Sequence, residues 1–406
     1  MSVAYERLED MPIFDVDTHF AEPPDLWTSR APEKYRGRTL EVRAKEDGKE
    51  AWFIGNTEVG MIGPSVVRAD MSKMLHTYTV PNFADMSRAS TYAPERVAFM
   101  DTVGVGSQIM YPNIIGFGAQ ALMKVSDDVE LRHWHVTAYN DALADLQKDG
   151  GDRLLPQAAL PLWDIDASLK ELERIRKLGI TGVAMSDKPA DFGQVSLYDP
   201  KWDRFFATCQ DLGLPINFHI GSGSFMGEKE KWWHPERSSI LPDMSLNGPL
   251  STFTAVNNFL QMSTDIMNLI LGGMLEKFPR LNFVMVESGA GWVPFLIQAL
   301  EHNWKEMLTP GQRGKFTREP KQMFMDQIYC SYWFEDPNCI DPFLKEFGAN
   351  NLMFETDFPH PTSLYPGIRE KVIETLGHHP VETQRKVLYE NAERIYGVKV
   401  GQVARH

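Results

Sequence analysis

ASLKELERIRKLGITGVAMS, residues 167–186, contains one full repeat of the pattern that decides the fold. Leu169, Leu172 and Ile175 recur at helical spacing, and Gly179 stands where a C-cap glycine ends a helix. The short apolar segment ITGVAMS follows at once and predicts a buried strand. A helix that leads directly into a strand is typical of parallel strands joined by crossover helices.

The same alternation of helix and strand continues along the chain. Buried strands are predicted at residues 13–17, 106–113, 154–162, 180–186, 214–221, 281–288, 327–335 and 351–357. Helices are predicted at residues 94–103, 127–148, 167–178, 200–212, 251–278, 292–307, 339–347 and 383–396. Eight strand-and-helix units favour a closed (β/α)8 TIM barrel, an α/β fold, over an open doubly wound sheet. Every barrel strand points its carboxyl end toward one rim, and we expect the functional site there.

Two long segments interrupt this pattern, and the whole chain, residues 1–406, is interpreted as one elaborated barrel domain. The first insertion covers about 23–92, and its stretch TLEVRAKEDGKEAWFIGN predicts an exposed β-hairpin that turns at Asp47 and Gly48. The second insertion covers about 221–249. Both follow a predicted barrel strand, so both are loops on the catalytic rim, where long loops form lids or substrate pockets.

The composition argues against several classes of function. The chain has 41 Lys and Arg against 55 Asp and Glu, a net charge of −14 and no basic cluster, so nucleic acid is not an expected partner. No apolar run reaches the roughly 18 residues of a membrane span, and the N-terminal segment lacks the features of a secretory signal. We therefore expect a cytoplasmic protein with no membrane partner. Three cysteines are too few for a disulfide framework or a thiolate zinc site.

Polar side chains follow four of the predicted strands. They are Asp17 and His19 after strand one, His219 after strand five, Glu287 after strand six and Asp357 after strand eight. Taken alone, Asp17 could equally cap a turn, and a lone histidine after an apolar run is commonly a core residue. Together, however, these strand ends would bury several carboxylates in one place, where they repel one another in a low dielectric. We therefore predict that one or two divalent metal ions bind at this rim.

Four segments of the chain resemble a known family. DVDTHFAEPPDLW, FHIGSG, FVMVESGAGWVPFL and NLMFETDFPH are similar to the amidohydrolase-related branch of the amidohydrolase superfamily, which includes metal-dependent decarboxylases. The resemblance extends over essentially the whole chain and implies a (β/α)8 barrel. It also implies that Asp17 and His19 are ligands from the first strand, His219 the ligand from the fifth and Asp357 the ligand from the eighth.

The sequence departs from the pattern of that superfamily at two positions. Asp17 stands where the first histidine of an H-x-H motif is expected, and Glu287 stands where decarboxylase relatives have a histidine that acts as acid or base. A glutamate can move protons if its pKa is raised, but it can also bridge or bind a second metal ion. Both roles for Glu287 stay open at this point.

Two further residues bear on the number of metal ions, and a third is a candidate for contact with the ligands or the substrate. Glu22 follows His19 by three residues, and His234 lies in the second insertion. Each is either an ordinary surface or loop residue or a ligand of a second metal ion, and if both bind, the site is dinuclear and rich in carboxylates. Such ligation resembles the barrel-fold non-haem di-iron oxygenases related to this superfamily. His360, three residues after Asp357, is assigned a role in the second shell of ligands or in substrate contact.

These observations lead to one main hypothesis and two alternatives. The main hypothesis is a hydrolase or carboxy-lyase that uses zinc, manganese or iron to act on a small organic, carboxylate-bearing substrate. In it, Asp357 ligates the metal and shuttles protons, and Glu287 is the second acid/base group or a ligand. The first alternative is a monooxygenase with a di-iron or iron/manganese centre, and the second is an inactive metal-binding subunit of a hetero-oligomer. A homo-oligomer, most simply a dimer, is expected otherwise.

Overall fold

The predicted strands close into a barrel of parallel strands. The structure, a computed structural model, describes residues 6–222 and 249–404. In these residues the strands are β1 Ile13–His19, β2 Leu40–Ala44, β3 Glu50–Ile54, β4 Thr57–Met61, β5 Val105–Tyr111, β6 Leu154–Pro156, β7 Val183–Met185, β8 Ile216–His219, β9 Phe283–Val286, β10 Ile328–Tyr332 and β11 Leu352–Phe354.

Eight of these strands build the barrel wall. One parallel sheet has the order β1-β5-β6, and a second has the order β11-β10-β9-β8-β7. Parallel bridges from Ala158 to Val183 and from Thr18 to Phe358 join the two sheets at both of their edges. The predicted (β/α)8 fold is therefore confirmed, and the carboxyl ends of the eight strands share one rim.

Helices surround the wall in the predicted order. They span Ala93–Val103, Ala121–Val125, Val129–Asp149, Ile165–Lys177, Asp203–Leu212, Pro249–Leu271, Met274–Lys277, Val293–Met307, Pro310–Arg313, Pro320–Gln327, Pro337–Phe347, Ile368–Leu376, Val381–Arg385 and Asn391–Tyr396. The helix predicted at 251–278 is in fact broken at Gly272 and Gly273, because Gly273 adopts a left-handed φ of 75°. A π-helical turn, Lys386–Glu390, interrupts the last predicted helix.

The first insertion forms a small antiparallel sheet of β2, β3 and β4. Its hairpin turns at Gly48, which has the left-handed φ of 79° that such turns require. The prediction that this hairpin is exposed was wrong for one face, because Trp52 is fully buried and packs edge-on against Trp27 at a centroid distance of 5.3 Å. His135, on the helix Val129–Asp149, accepts a hydrogen bond from the Leu40 N–H at 3.2 Å and fixes the sheet to the barrel.

The second insertion, predicted at about 221–249, lies almost wholly outside the described residues, and so does His234. Among the helices that the structure does describe, we find none with both the length and the apolar content to cross a membrane.

Candidate metal centre

The barrel mouth brings together all five residues that the sequence places at strand ends. His219 Nε2 lies 3.1 Å from His19 Nε2, 3.4 Å from Asp17 Oδ1 and 3.6 Å from Glu287 Oε2. His19 Nε2 lies 3.6 Å from both Asp17 Oδ1 and Asp357 Oδ1. Ligand atoms bound to one metal ion at about 2.0–2.2 Å stand roughly 3–3.6 Å apart. The candidate ligand atoms form two overlapping groups, Asp17, His19, His219 and Glu287 in one and His19, Glu287, Asp357 and His360 in the other, each within 4.8 Å. Each group has the spacing of a coordination sphere.

The environment of Asp17 also fits a cation. Asp17 is fully buried, and neither of its carboxylate oxygens accepts a hydrogen bond in the described part of the chain. Burial, and then the nearby carboxylates of Asp357 and Asp15, raise the pKa of Asp17 well above its usual value. A buried carboxylate without a donor is costly, and a divalent ion removes that cost.

The two histidines are held in the form that binds metal. His219 Nδ1 donates to the carbonyl of Ile220 at 2.8 Å, which leaves the lone pair of Nε2 directed into the mouth. Burial lowers the pKa of His219 to about 4. Burial, and then the neighbouring imidazoles of His360 and His219, lower the pKa of His19 well below its usual value. Both imidazoles are therefore neutral near pH 7, as metal ligation requires.

His360 lies closer to the centre than the sequence indicated. Its Nδ1 is 2.8 Å from Asp357 Oδ1, and its ring stacks on His19 with centroids 3.6 Å apart. Its Nε2 lies 3.1 Å from Asn113 Oδ1. Candidate ligand atoms of His19, Glu287, Asp357 and His360 fall within 4.8 Å of one another. His360 is thus either a ligand itself or the group that orients Asp357.

The structure places Glu22 apart from these groups. Its side chain is buried, and Oε1 accepts hydrogen bonds from the backbone N–H groups of Asn113 at 2.9 Å and Ile114 at 3.1 Å. Burial raises the pKa of Glu22 to about 7. Among the described residues, Glu22 belongs to none of the groups whose ligand atoms converge. Glu22 instead ties the start of the first insertion to the loop after β5.

Asp15 is a buried polar residue of the site that we did not single out from the sequence. Its carboxylate accepts hydrogen bonds from Thr356 N at 2.9 Å, Thr356 Oγ1 at 2.6 Å and Gln108 Nε2 at 3.1 Å. These bonds connect β1 with β5 and with the segment after β11, so they close the barrel beneath Asp17 and Asp357. The D-x-D spacing was a signal for Asp15, because it puts both aspartates on one face of the strand.

Two further buried glutamates hold the segment around Glu287. Glu355 accepts a hydrogen bond from the Glu287 N–H at 3.2 Å. Glu335 accepts from Ala290 N at 2.6 Å and Gly291 N at 3.0 Å. Both glutamates follow or end a barrel strand, but nothing in their local sequence distinguishes them from surface acids.

Glu287 and Asp357 share an unusual backbone conformation. Glu287 has a φ of 55° and Asp357 a φ of 57°, the left-handed region that costs a residue other than glycine roughly 1–3 kcal/mol. Each follows a barrel strand, β9 or β11, and the conformation turns each carboxylate into the mouth. Strain kept at two strand ends on the same rim, β9 and β11 on either side of β10, is typical of a functional site.

The first insertion reaches the same mouth. Lys73 Nζ donates to the Ser363 carbonyl at 2.5 Å, and burial lowers the Lys73 pKa while the Asp357 carboxylate opposes that change. Burial and the charges of Glu287 and Asp357 raise the pKa of Tyr78. The insertion thus brings a lysine and a phenol within electrostatic range of Asp357, and the phenol within range of Glu287 as well.

The open side of the centre is defined by two side chains. Glu287 is 12% exposed and His360 is 13% exposed, whereas Asp17 and His19 are fully buried. Phe117 stacks on His219, with centroids 4.0 Å apart and planes 14° apart, and forms an apolar wall. Among the described candidate ligands, Glu287 and His360 are therefore the two that a small molecule can contact most readily.

Comparison with known proteins agrees with this architecture. A sequence model of the family described as amidohydrolase matches residues 14–398. The gamma-resorcylate decarboxylase of Rhizobium sp. (strain MTP-10005) is 28% identical to this chain over 276 residues, which cover 65% of this chain and 76% of that protein.

Solved structures show the same fold. An amidohydrolase from Mycobacterium avium subsp. paratuberculosis K-10 superposes with a TM-score of 0.71 at 20% identity, covering 97% of this chain and 100% of that one. A dihydroxybenzoic acid decarboxylase from Polaromonas sp. JS666, with bound manganese and the inhibitor 2-nitroresorcinol, superposes with a TM-score of 0.62 at 16% identity. That superposition covers 95% of this chain and 97% of the decarboxylase. Neither the relative nor these two neighbours is an oxygenase, so they lend that alternative no support.

Proposed function

Because the chain belongs to the amidohydrolase family, we propose that it is a metal-dependent decarboxylase that acts on a small hydroxylated aromatic carboxylate. The chain is an enzyme of the hydrolase and decarboxylase type. The observation that carries the finer proposal is that His19 joins two groups of candidate ligands in one mouth, Asp17 and His219 on one side and Asp357 on the other, with Glu287 common to both groups. The substrate class is taken from the names of the relatives, which are decarboxylases of hydroxylated benzoates.

The residues present fit a single divalent metal ion. Asp17, His19, His219 and Asp357 would hold it, since two carboxylates and two neutral imidazoles suit manganese, zinc or iron. Manganese is our first choice because a structural neighbour contains it. When bound, such an ion polarises the carboxylate and the adjacent hydroxyl of a substrate.

Glu287 is our candidate for the proton donor. It is the most exposed of the carboxylates in the centre that we assign, so its oxygens can contact a substrate. Burial, then Asp357 and Asp17, raise the pKa of Glu287 well above its usual value, which favours the protonated acid. As the bond between ring and carboxylate breaks and CO2 leaves, the proton of Glu287 forms the new C–H bond. The glutamate then regains a proton from solvent, and Asp357 and His360, in contact at 2.8 Å, provide a relay for it.

The pocket around this centre suits an aromatic acid. Phe117 and Tyr111 line the side of His219 with ring centroids 4.0 and 5.1 Å away. Lys73 supplies a cation next to Asp357 that can pair with an anionic substrate. An apolar wall with a few convergent polar groups is the usual form of a small-molecule site.

The two alternatives have weaker support. A dinuclear oxygenase needs ligands for a second metal ion, but one oxygen of Glu22 is already occupied by two backbone N–H groups, and His234 lies outside the described residues. An inactive subunit has no need for strained backbone at both Glu287 and Asp357. We therefore favour an active decarboxylase.

A panel of substrates tests this proposal. Protein loaded with Mn²⁺ is incubated with ortho-hydroxylated benzoates, with benzoate itself, and with aryl amides and esters. We expect CO2 and the matching phenol in equal amounts from a hydroxylated benzoate, and no turnover of the other compounds. Hydrolysis of an amide or ester, with no CO2 from any acid, would instead favour the hydrolase hypothesis.

A further inference from the structure

A second cluster of candidate ligands shares no residue with the groups in the barrel mouth. Asp341 belongs to the helix Pro337–Phe347, and His378 and His379 lie in the turn before the helix Val381–Arg385. His379 Nε2 is 2.8 Å from Asp341 Oδ1, and His378 Nε2 is 3.0 Å from Oδ1 and 3.1 Å from Oδ2. Two imidazoles therefore point their Nε2 atoms at one carboxylate.

We propose that Asp341, His378 and His379 form a separate site for a borderline divalent cation such as Zn²⁺. The candidate ligand atoms all lie within 4.8 Å of one another. Two imidazole nitrogens and a carboxylate oxygen are a ligand set that zinc takes readily, and water completes the tetrahedron. The hydrogen bonds that join the two imidazoles to the carboxylate would be replaced by one bond from each of the three side chains to the ion.

The turn that carries the histidines is already ordered by other contacts. Gln384 is buried, and its Nε2 donates to the carbonyls of Leu376 at 3.0 Å and His379 at 2.9 Å. The His379 N–H also donates to the Leu376 carbonyl at 3.0 Å. Binding a cation therefore requires little reordering of the backbone, which favours affinity.

The side chains of this cluster are exposed and charged in a way that lets a cation bind. The side chains of His378 and Asp341 are 48% and 44% exposed, so an ion can enter from solvent, and His379 at 17% forms the inner side. Within the described residues, Asp341 makes ion pairs with these two histidines and with no lysine or arginine. The hydrogen bonds from His379 and His378 lower the pKa of Asp341, although burial opposes them, so the carboxylate is ionised.

A bound ion would connect the helix Pro337–Phe347 to the turn at 377–380. Since only the folded chain presents this arrangement, binding stabilises the fold by mass action. At a hundredfold excess of free ion over Kd, we expect a rise of roughly 3 °C in the midpoint of thermal unfolding.

Zinc stoichiometry tests the proposal. The whole chain is dialysed to equilibrium against buffered free Zn²⁺, and zinc per chain is counted by elemental mass spectrometry. The double variant His378→Gln/His379→Gln should bind one zinc ion fewer than the unaltered protein. The matched control His302→Gln, which removes an exposed histidine from the helix Val293–Met307, should lose none.

The activity and folding of the variants are measured alongside their zinc content. Both variants should retain the activity of the unaltered protein, because none of the three histidines lies in the barrel mouth. If the double variant does not fold, Asp341→Asn replaces it, with the same expected loss of one zinc ion. Equal zinc content in a folded variant and the unaltered protein would mean that the cluster is an ordinary ion pair only, and it would overturn the proposal.

Discussion

The Nε2 atoms of His19 and His219 lie 3.1 Å apart, although β1 and β8 stand on opposite sides of the barrel. The Nδ1 of His219 is already engaged by the carbonyl of Ile220. Two imidazole nitrogens that face each other at this distance share either one proton or one cation. With Asp17 Oδ1 3.4 Å from His219 Nε2, the same position is surrounded by negative charge. These contacts favour a metal ion as the group shared in the working enzyme.

His219→Ala and Asp357→Asn should each remove both metal and activity. Each variant deletes or neutralises a ligand in a centre where the remaining carboxylates cannot compensate, and we expect decarboxylation to fall at least about 100-fold. Metal per chain and kcat are measured on the same preparation. His302→Gln is the matched control and should match the unaltered enzyme. Full activity in either of the two ligand variants would refute the assignment of the centre.

Glu287→Gln should separate proton transfer from metal binding. If Glu287 delivers the proton, the variant keeps its metal while kcat falls by about 10²–10⁴-fold, because an amide cannot donate a carboxyl proton. Glu306→Gln, which alters an exposed glutamate, is the control. Loss of metal together with activity would show that Glu287 is a ligand instead.

Thr356→Val should loosen the closure of the barrel beneath the metal ligands. The variant keeps the volume of Thr356 but removes the hydroxyl that donates to Asp15 at 2.6 Å, leaving a buried carboxylate short of a donor. We expect the free energy of unfolding to fall by about 1–3 kcal/mol and metal affinity to fall by about 10–100-fold. Thr356→Ser retains the hydroxyl and should behave like the unaltered protein. Equal losses in both variants would point to packing, not to the hydrogen bond.

Asp265→Asn should change how stability depends on pH. Asp265, on the helix Pro249–Leu271, lies beside Asp187, Lys188 and Tyr198. Burial, and then Asp187, raise the pKa of Asp265 well above its usual value, although Lys188 opposes them. The folded state therefore holds a proton that the unfolded state releases from about pH 4 upward, so this group lowers stability as pH rises toward its folded pKa.

In the Asp265→Asn variant the side-chain amide does not titrate, so this contribution to the pH dependence of stability is absent. Its stability relative to the unaltered protein should therefore be greater at pH 8 than at pH 5, by about 1.4 kcal/mol for each pH unit between 5 and the folded-state pKa of Asp265. Denaturant unfolding at the two pH values measures the difference. A difference that does not change with pH would contradict a raised pKa for Asp265.

Much of the fold could be predicted because its signals are local. The pattern of Leu169, Leu172 and Ile175 followed by Gly179 needs no knowledge of distant residues, and it repeats along the chain. The strand ends at His219 and Asp357 were identifiable for the same reason, since each follows an apolar run. The break at Gly273 was missed because the apolar pattern runs on through it.

Features that depend on distant partners could not be predicted from the sequence. Asp15 acts through Thr356, which is 341 positions away, and only the closed barrel brings the two together. A role for His360 near Asp357 was predicted from the sequence, but the left-handed backbone at Asp357, on which their 2.8 Å contact is built, is indicated by no local pattern. Glu355 likewise holds the segment around Glu287 only because the folded chain lets it accept a hydrogen bond from the Glu287 N–H.

Metal removal and return is the most direct test of the central claim. The enzyme is treated with a chelator, and CO2 release from an ortho-hydroxylated benzoate is followed under argon before and after Mn²⁺ is restored. We predict that CO2 release is lost on stripping and recovers with Mn²⁺, with no need for oxygen. Decarboxylation that survives complete removal of metal, or turnover that begins only when oxygen is admitted, would contradict this account.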